Sequence, residues 1–148
     1  MVVMLIGISI TVVGLSLGRD HDRVAELEAR RFAALLEHLR DESVLSGRSY
    51  AILVDEPTRS YRFLAAGSGW KPVTGDDILR DRMLPDFLKL RLDLPAGSSE
   101  SDAGLVVVEA FGDITPFVLT VSGDDQDFRV TLDAAQNLVV RGHARDTG

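Results

Sequence analysis

The first stretch of the chain, MVVMLIGISITVVGLSLG, holds no charged side chain, and Arg19 opens a second one, RDHDRVAELEARRFAALLEHLRDE, in which charge and hydrocarbon are interleaved. In that second stretch Ala25, Ala29, Phe32, Ala33, Leu36 and Leu39 recur mostly at steps of three and four, and side chains so spaced share one face of an α-helix. The pattern predicts one continuous helix, greasy over 1–18 and amphipathic over 19–47, stopped where Ser46-Gly47 supplies a glycine for the left-handed C′ position. As a helix, 1–18 would be about 27 Å long, close to the roughly 30 Å of a bilayer's hydrocarbon core. Val2, Leu5, Ile6, Ile10, Val13 and Leu17 are therefore expected to face lipid or other helices, and Ala25, Ala29, Phe32, Leu36 and Leu39 a sheet. No Lys or Arg precedes the run, as a secretory signal would require. A buried core helix is the other reading of its length. Gly14 and Gly18 form a small-xxx-small pair for close helix approach, or are simply tolerated there.

Beyond Gly47 the period falls to two. Tyr50, Ile52 and Val54 alternate with Ala51, Leu53 and Asp55, a turn cluster follows at 55–59, and Tyr61–Leu64 returns as the antiparallel partner. Ala66-Gly67-Ser68-Gly69 is expected as a flexible loop, Trp70 as a core or hairpin-edge packer, and Gly75–Arg80 as a turn or short helix. Phe87, Leu88, Leu90, Leu92 and Leu94 oppose Lys89, Arg91 and Asp93 in a further strand pattern, and Pro95–Gly104 reads as a surface loop. Strands follow at Leu105–Phe111, Phe117–Val121, Phe128–Leu132 and Leu138–Val140, with Arg141–Gly148 as a frayed tail. The expected fold class is α+β: a long N-terminal helix packed on an antiparallel sheet or a two-sheet sandwich, with 48–148 as one β-rich domain.

Composition narrows the function. A chain of 148 residues supports one core, and a net charge of −7 disfavours a nucleic-acid surface. The absence of cysteine removes disulfides, thiolate chemistry and cysteine zinc sites. His21, His38 and His143 stand in no metal-ligand spacing and read as surface histidines. Ser68 is flanked as GSG, without the spacing of a nucleophile elbow, and no glycine run has a phosphate-binding form. Asp124, Asp125 and Asp127 could offer oxygens to calcium but lack the distal glutamate of a twelve-residue loop, so a plain polar turn is favoured. No catalytic residue, cofactor or metal is expected.

The opening MVVMLIGISITVVGLSLG resembles the membrane helix of type IV pilin-like proteins. EARRFAALLEHLRDESVLSGRSYAILVD is similar to the helix and first strand of the GspH/FimT group, the H-type minor pseudopilins of type II secretion. EAFGDITPFVLTVSGDDQDFRVTLDAAQNLVV is similar to that group's late strands, carrying its motif at Phe111, Gly112, Thr115, Pro116 and Phe117, and Trp70 falls where such proteins often have one. The resemblance implies a pilin-like fold and a non-enzymatic subunit near the tip of a secretion fibre. It implies an inner-membrane, single-pass chain with 1–18 in the membrane, 19–47 as the amphipathic half of the helix and 48–148 in the periplasm. The implied partners are other pseudopilins, major and minor, inner-membrane lipid and the assembly platform, with no nucleic acid and no small-molecule substrate. The family's cleavage glycine and acidic residue have no counterpart within Met1–Gly18, so the expectation is a late start at an internal methionine; six residues more would add roughly 9 Å of helix. Two alternatives stand beside this: a FimT-like pilus subunit that binds DNA through Arg141 and Arg145, and an unrelated membrane-anchored periplasmic enzyme.

Overall fold

The computed structural model describes residues 2–95 and 104–145, with side chains described from Asp20 onward. A single helix, α1, runs over Val2–Ser46, about 67 Å at 1.5 Å per residue. It ends in an αL cap: Gly47 takes φ +69°, and its N–H donates to the Ser43 carbonyl at 2.9 Å, which satisfies one of the last turn's open acceptors.

Two antiparallel sheets follow. The first contains β1 (Tyr50–Asp55), β2 (Ser60–Gly67), β3 (Gly69–Pro72), β4 (Arg82–Met83) and β6 (Leu105–Val108) in the order β3-β2-β1-β6, with β4 beside the start of β2. The second contains β5 (Lys89–Asp93), β7 (Val118–Ser122), β8 (Gln126–Leu132) and β9 (Leu138–Ala144) in the order β5-β7-β8-β9. Tyr50, Ile52, Val54, Tyr61, Phe63, Val106 and Val108 of one sheet join Leu90, Leu119, Val121, Phe128 and Val130 of the other in one core with α1. Phe32 sits where the layers meet, edge-on to Tyr61 at 5.3 Å between ring centroids and to Phe117 at 6.1 Å, the arrangement aromatic quadrupoles favour. A smaller cluster, Ala51, Leu64 and Leu105, lies on the other side of the first sheet.

Several boundaries differ from those the pattern predicts. Ala66–Gly69 is no flexible loop: Gly67 pairs with Gly69 around Ser68, so β2 and β3 form a second tight hairpin. Gly75–Arg80 is a turn without helix, and the Asp76 carboxylate accepts the N–H groups of Ile78 (2.8 Å) and Leu79 (3.0 Å). These donors hold the Asp76 carboxyl below the usual carboxylate range. The strand expected over Leu105–Phe111 stops at Val108, because the Glu109 N–H closes a turn onto the Asp113 carbonyl. The expected frayed tail is largely strand: Arg141–Ala144 extend β9 against Gln126–Arg129. Of the expected surface loop, 96–103 lie outside the described residues.

Candidate functional site

The amphipathic stripe of α1 continues beyond its hydrocarbon members. Ala25, Ala29, Phe32, Leu36 and Leu39 are all at 0–1% exposure. One step further at each end of this three-and-four rhythm stand Asp22 and Ser43, both buried although polar. Burying a carboxylate is costly unless its oxygens are used. Oδ1 of Asp22 accepts the backbone N–H of Asp125 at 3.0 Å and of Gln126 at 3.2 Å, so the turn between β7 and β8 is tied to the helix. Gly123 of the same turn packs so closely that a β-carbon there would lie 2.9 Å from the Asp22 Cα. Beside it His21 Nδ1 and Asp124 Oδ2 are 2.8 Å apart, and the His21 ring stacks on Phe87 at 3.9 Å. Arg145 completes the turn, donating to Asp127 Oδ1 at 3.0 Å and to the Gly123 carbonyl.

A second tie lies at the other end of the stripe. Arg40 donates to the Gln136 carbonyl at 2.6 Å. Gln136, at φ +66°, accepts the Ile114 N–H on its side-chain oxygen at 2.9 Å and donates back to the Ile114 carbonyl. The helix is thus tied to both turns that flank β8. The lengths agree: Asp22 to Arg40 spans about 27 Å of helix, and β8 about 23 Å plus its turns.

The remaining positions singled out in the sequence disperse. Trp70 lies on the edge strand β3, 37% exposed. Phe111 is exposed at a turn, Gly112 packs on Val44 and Arg40, the Thr115 N–H donates to the Val107 carbonyl, Pro116 is exposed and Phe117 is buried. These residues shape one crossover between the sheets and bring no reactive groups together. The three aspartates expected in a plain turn are divided among His21, the backbone tie to Asp22 and Arg145, and among the described residues no group of acids and histidines is arranged to hold a metal. His21 is a partly exposed surface histidine, with Asp124 as its partner. The side chains of Val2, Leu5, Ile6, Ile10, Val13 and Leu17 lie outside the described residues, and among the described residues no helix is long and apolar enough to cross a membrane.

Sequence reasoning missed Asp22, Arg40 and Gln136. For Asp22 a signal existed: an acid standing in register with a hydrophobic stripe. What the arrangement can do is mechanical. A head is fixed at two points, about five turns of helix apart, to a rod that continues beyond the first point.

Comparison with known proteins agrees with a scaffold of this kind. Residues 28–136 match the family model described as GspH, type II transport protein. The chain is 33% identical to type II secretion system protein H of Aeromonas hydrophila, over 87% of this chain and 79% of that protein. Its fold is similar to the solved structure of the minor pseudopilin EpsH from the type 2 secretion system of Vibrio cholerae, with a TM-score of 0.65 and 26% identity over 81% of this chain and 96% of that one. It is also similar, in fold alone, to the type IV minor pilin FimU of Pseudomonas aeruginosa, with a TM-score of 0.51 and 17% identity over 89% and 92% of the two chains.

Proposed function

Because this chain belongs to the GspH family of type II transport proteins, we propose that it serves as a minor pseudopilin, a structural subunit of a secretion fibre and not an enzyme. The observation that carries this reading is the single helix Val2–Ser46, one rod with its second half bound into a β head and its uncharged first half ahead of it. In this reading Met1–Gly18 anchors the subunit in the inner membrane and then packs among the helices of the fibre. The head, 48–148, faces the periplasm and meets other pseudopilins, major and minor, near the tip, where the fibre supports export of folded proteins across the outer membrane. The assembly platform and inner-membrane lipid are the remaining partners. The two ties from α1 to the turns around β8 suit that role, since a head fixed at two points moves with its rod.

A DNA-binding pilus subunit is not favoured. The family match is to type II secretion, the likeness to FimU is one of fold, and Arg145 is engaged by Asp127 and the Gly123 carbonyl. The test is deletion of the gene in the bacterium that encodes it, following one folded exoprotein. Expected is accumulation of that protein in the periplasm, reversed by supplying the chain in trans. Secretion that continues undiminished in the deletion strain overturns the proposal.

A further inference from the structure

The outward face of the second sheet carries a row of cations of which, among the described residues, only Arg91 is paired with an acid. Register places Arg91 of β5 opposite Thr120 of β7, Thr120 opposite Arg129 of β8, and Arg129 opposite Arg141 of β9. Three arginines and a threonine thus form one line across all four strands, with neighbouring strands about 4.8 Å apart. Lys89 lies on the same face, two residues along β5 from Arg91. The acids nearby are each engaged: Asp93 pairs with Arg91, Asp127 with Arg145, Glu56 accepts the Leu92 N–H, and Asp133 accepts the N–H groups of Ala135 and Asn137. Among the described residues Lys89, Arg129 and Arg141 make no ion pair, and all three are exposed. Like charges directly opposite on neighbouring strands destabilise a sheet. Arg129 and Arg141 incur that cost, so their pairing runs against local stability.

We propose that this face is a docking surface for an acidic surface of another protein, with Arg129 and Arg141 as its central contacts. Arginine forks match carboxylates in a planar, bidentate fashion, and Arg129 lines two shallow grooves of mixed charge, one with Lys89 and Arg91 beside Glu56, Asp93 and Asp127, the other with Arg141 beside Asp133. Nucleic acid fits less well. Four cations release few counterions, the acidic remainder of the chain repels a polyanion at long range, and the exposed aromatics Trp70, Phe87 and Phe111 lie off these strands, so no base-stacking platform is present on them.

The test measures binding of a fluorescein-labelled oligoglutamate peptide, and separately of duplex DNA of equal charge, to the full chain in neutral detergent at low salt. Arg129→Glu and Arg141→Glu are each expected to weaken peptide binding by about tenfold or more. Arg62→Glu, an equal charge change on the exposed side of the first sheet, is expected to leave it within about twofold. Should the glutamate variants fail to fold, Arg129→Gln and Arg141→Gln serve instead, with melting no lower than the parent and the same loss of binding. The idea is overturned if Arg62→Glu weakens binding as much as Arg129→Glu, if DNA binds more tightly than the peptide, or if the parent chain binds no peptide. This assay needs no fibre, so its failure leaves the subunit reading standing, and secretion-competent deletion cells would sink that reading without touching this one.

Discussion

Asp22 accepts the backbone N–H of Asp125 at 3.0 Å, across 103 positions of the chain. Through this contact an acid on the buried stripe of a helix determines where a distant turn sits. Removing it takes the acceptor from two partly buried hydrogen bonds, and hydrogen bonds to a charged group contribute about 1.5–3 kcal/mol each. Asp22→Ala is expected to destabilise the head by about 2–3 kcal/mol in urea unfolding and to speed hydrogen exchange at Asp125 and Gln126. Asp22→Asn, which keeps one oxygen, should lose less than half as much. Equal stability of Asp22→Ala and the parent would remove the tie from the account.

Gly123 tests the same junction sterically. A β-carbon there would meet backbone atoms of Asp22, at 2.9 Å for Cα and 3.1 Å for N, and backbone cannot rotate away. Gly123→Ala should cost about 1–3 kcal/mol, the usual range for overpacking. A melting curve that superimposes on the parent's would show that the turn can lift from the helix freely.

Phe32 is 1% exposed and meets the ring of Tyr61 on the first sheet and that of Phe117 in the connection just before β7. Phe32→Ala is expected to cost about 3–5 kcal/mol, enough to unfold a marginal domain, whereas Phe32→Leu should keep a cooperative transition. The check is guanidinium unfolding of the two variants side by side.

Tyr61 gives a pH signature. Burial, reinforced by Glu28, pushes its phenol from 10.0 up to about 12. The unfolded phenol therefore ionises first. The associated stability is complete below pH 10 and is lost as pH rises from 10 through 12, up to about 2–3 kcal/mol. Its hydroxyl has no hydrogen-bond partner among the described residues, so Tyr61→Phe should be neutral or slightly stabilising at pH 7. At pH 11 the variant should melt clearly above the parent. Parallel melting curves for the two chains between pH 9 and 11 would contradict the assignment.

Deleting 1–18 should leave a soluble folded head with the mixed helix-and-sheet circular dichroism of α1 from Arg19 onward and its two sheets, and abolish incorporation into the fibre. Crosslinking of the subunit into sheared fibres measures this, and incorporation that survives the deletion removes the proposed mechanism.

How much of this was legible along the chain follows the range of the interactions involved. The helix from Val2 to Ser46 and its end at Gly47 were readable because a three-and-four rhythm and a left-handed cap act within a few residues. The first hairpin, Tyr50–Asp55 with Ser60–Gly67, was readable because a short turn joins its strands. Arg141–Ala144 looked like a tail because nothing local makes RGHA a strand; it becomes one through pairing with Gln126–Arg129. Leu105–Phe111 looked like one strand because the apolar run continues, yet the turn at Glu109–Asp113 ends it at Val108 and leaves Phe111 outside.

By itself, then, the sequence determined the rod, its greasy and two-faced halves and the β character of the rest, since periodicity and glycine placement are local energies written into neighbouring residues. Only the tertiary structure decided that Asp22 and Arg40 would hold the two turns around β8, that Phe32 would meet the rings of Tyr61 and Phe117, and that Arg91, Arg129 and Arg141 would fall in one line. Each of these depends on strand register, and register is chosen by the packing of whole faces against one another, which no short window of sequence contains.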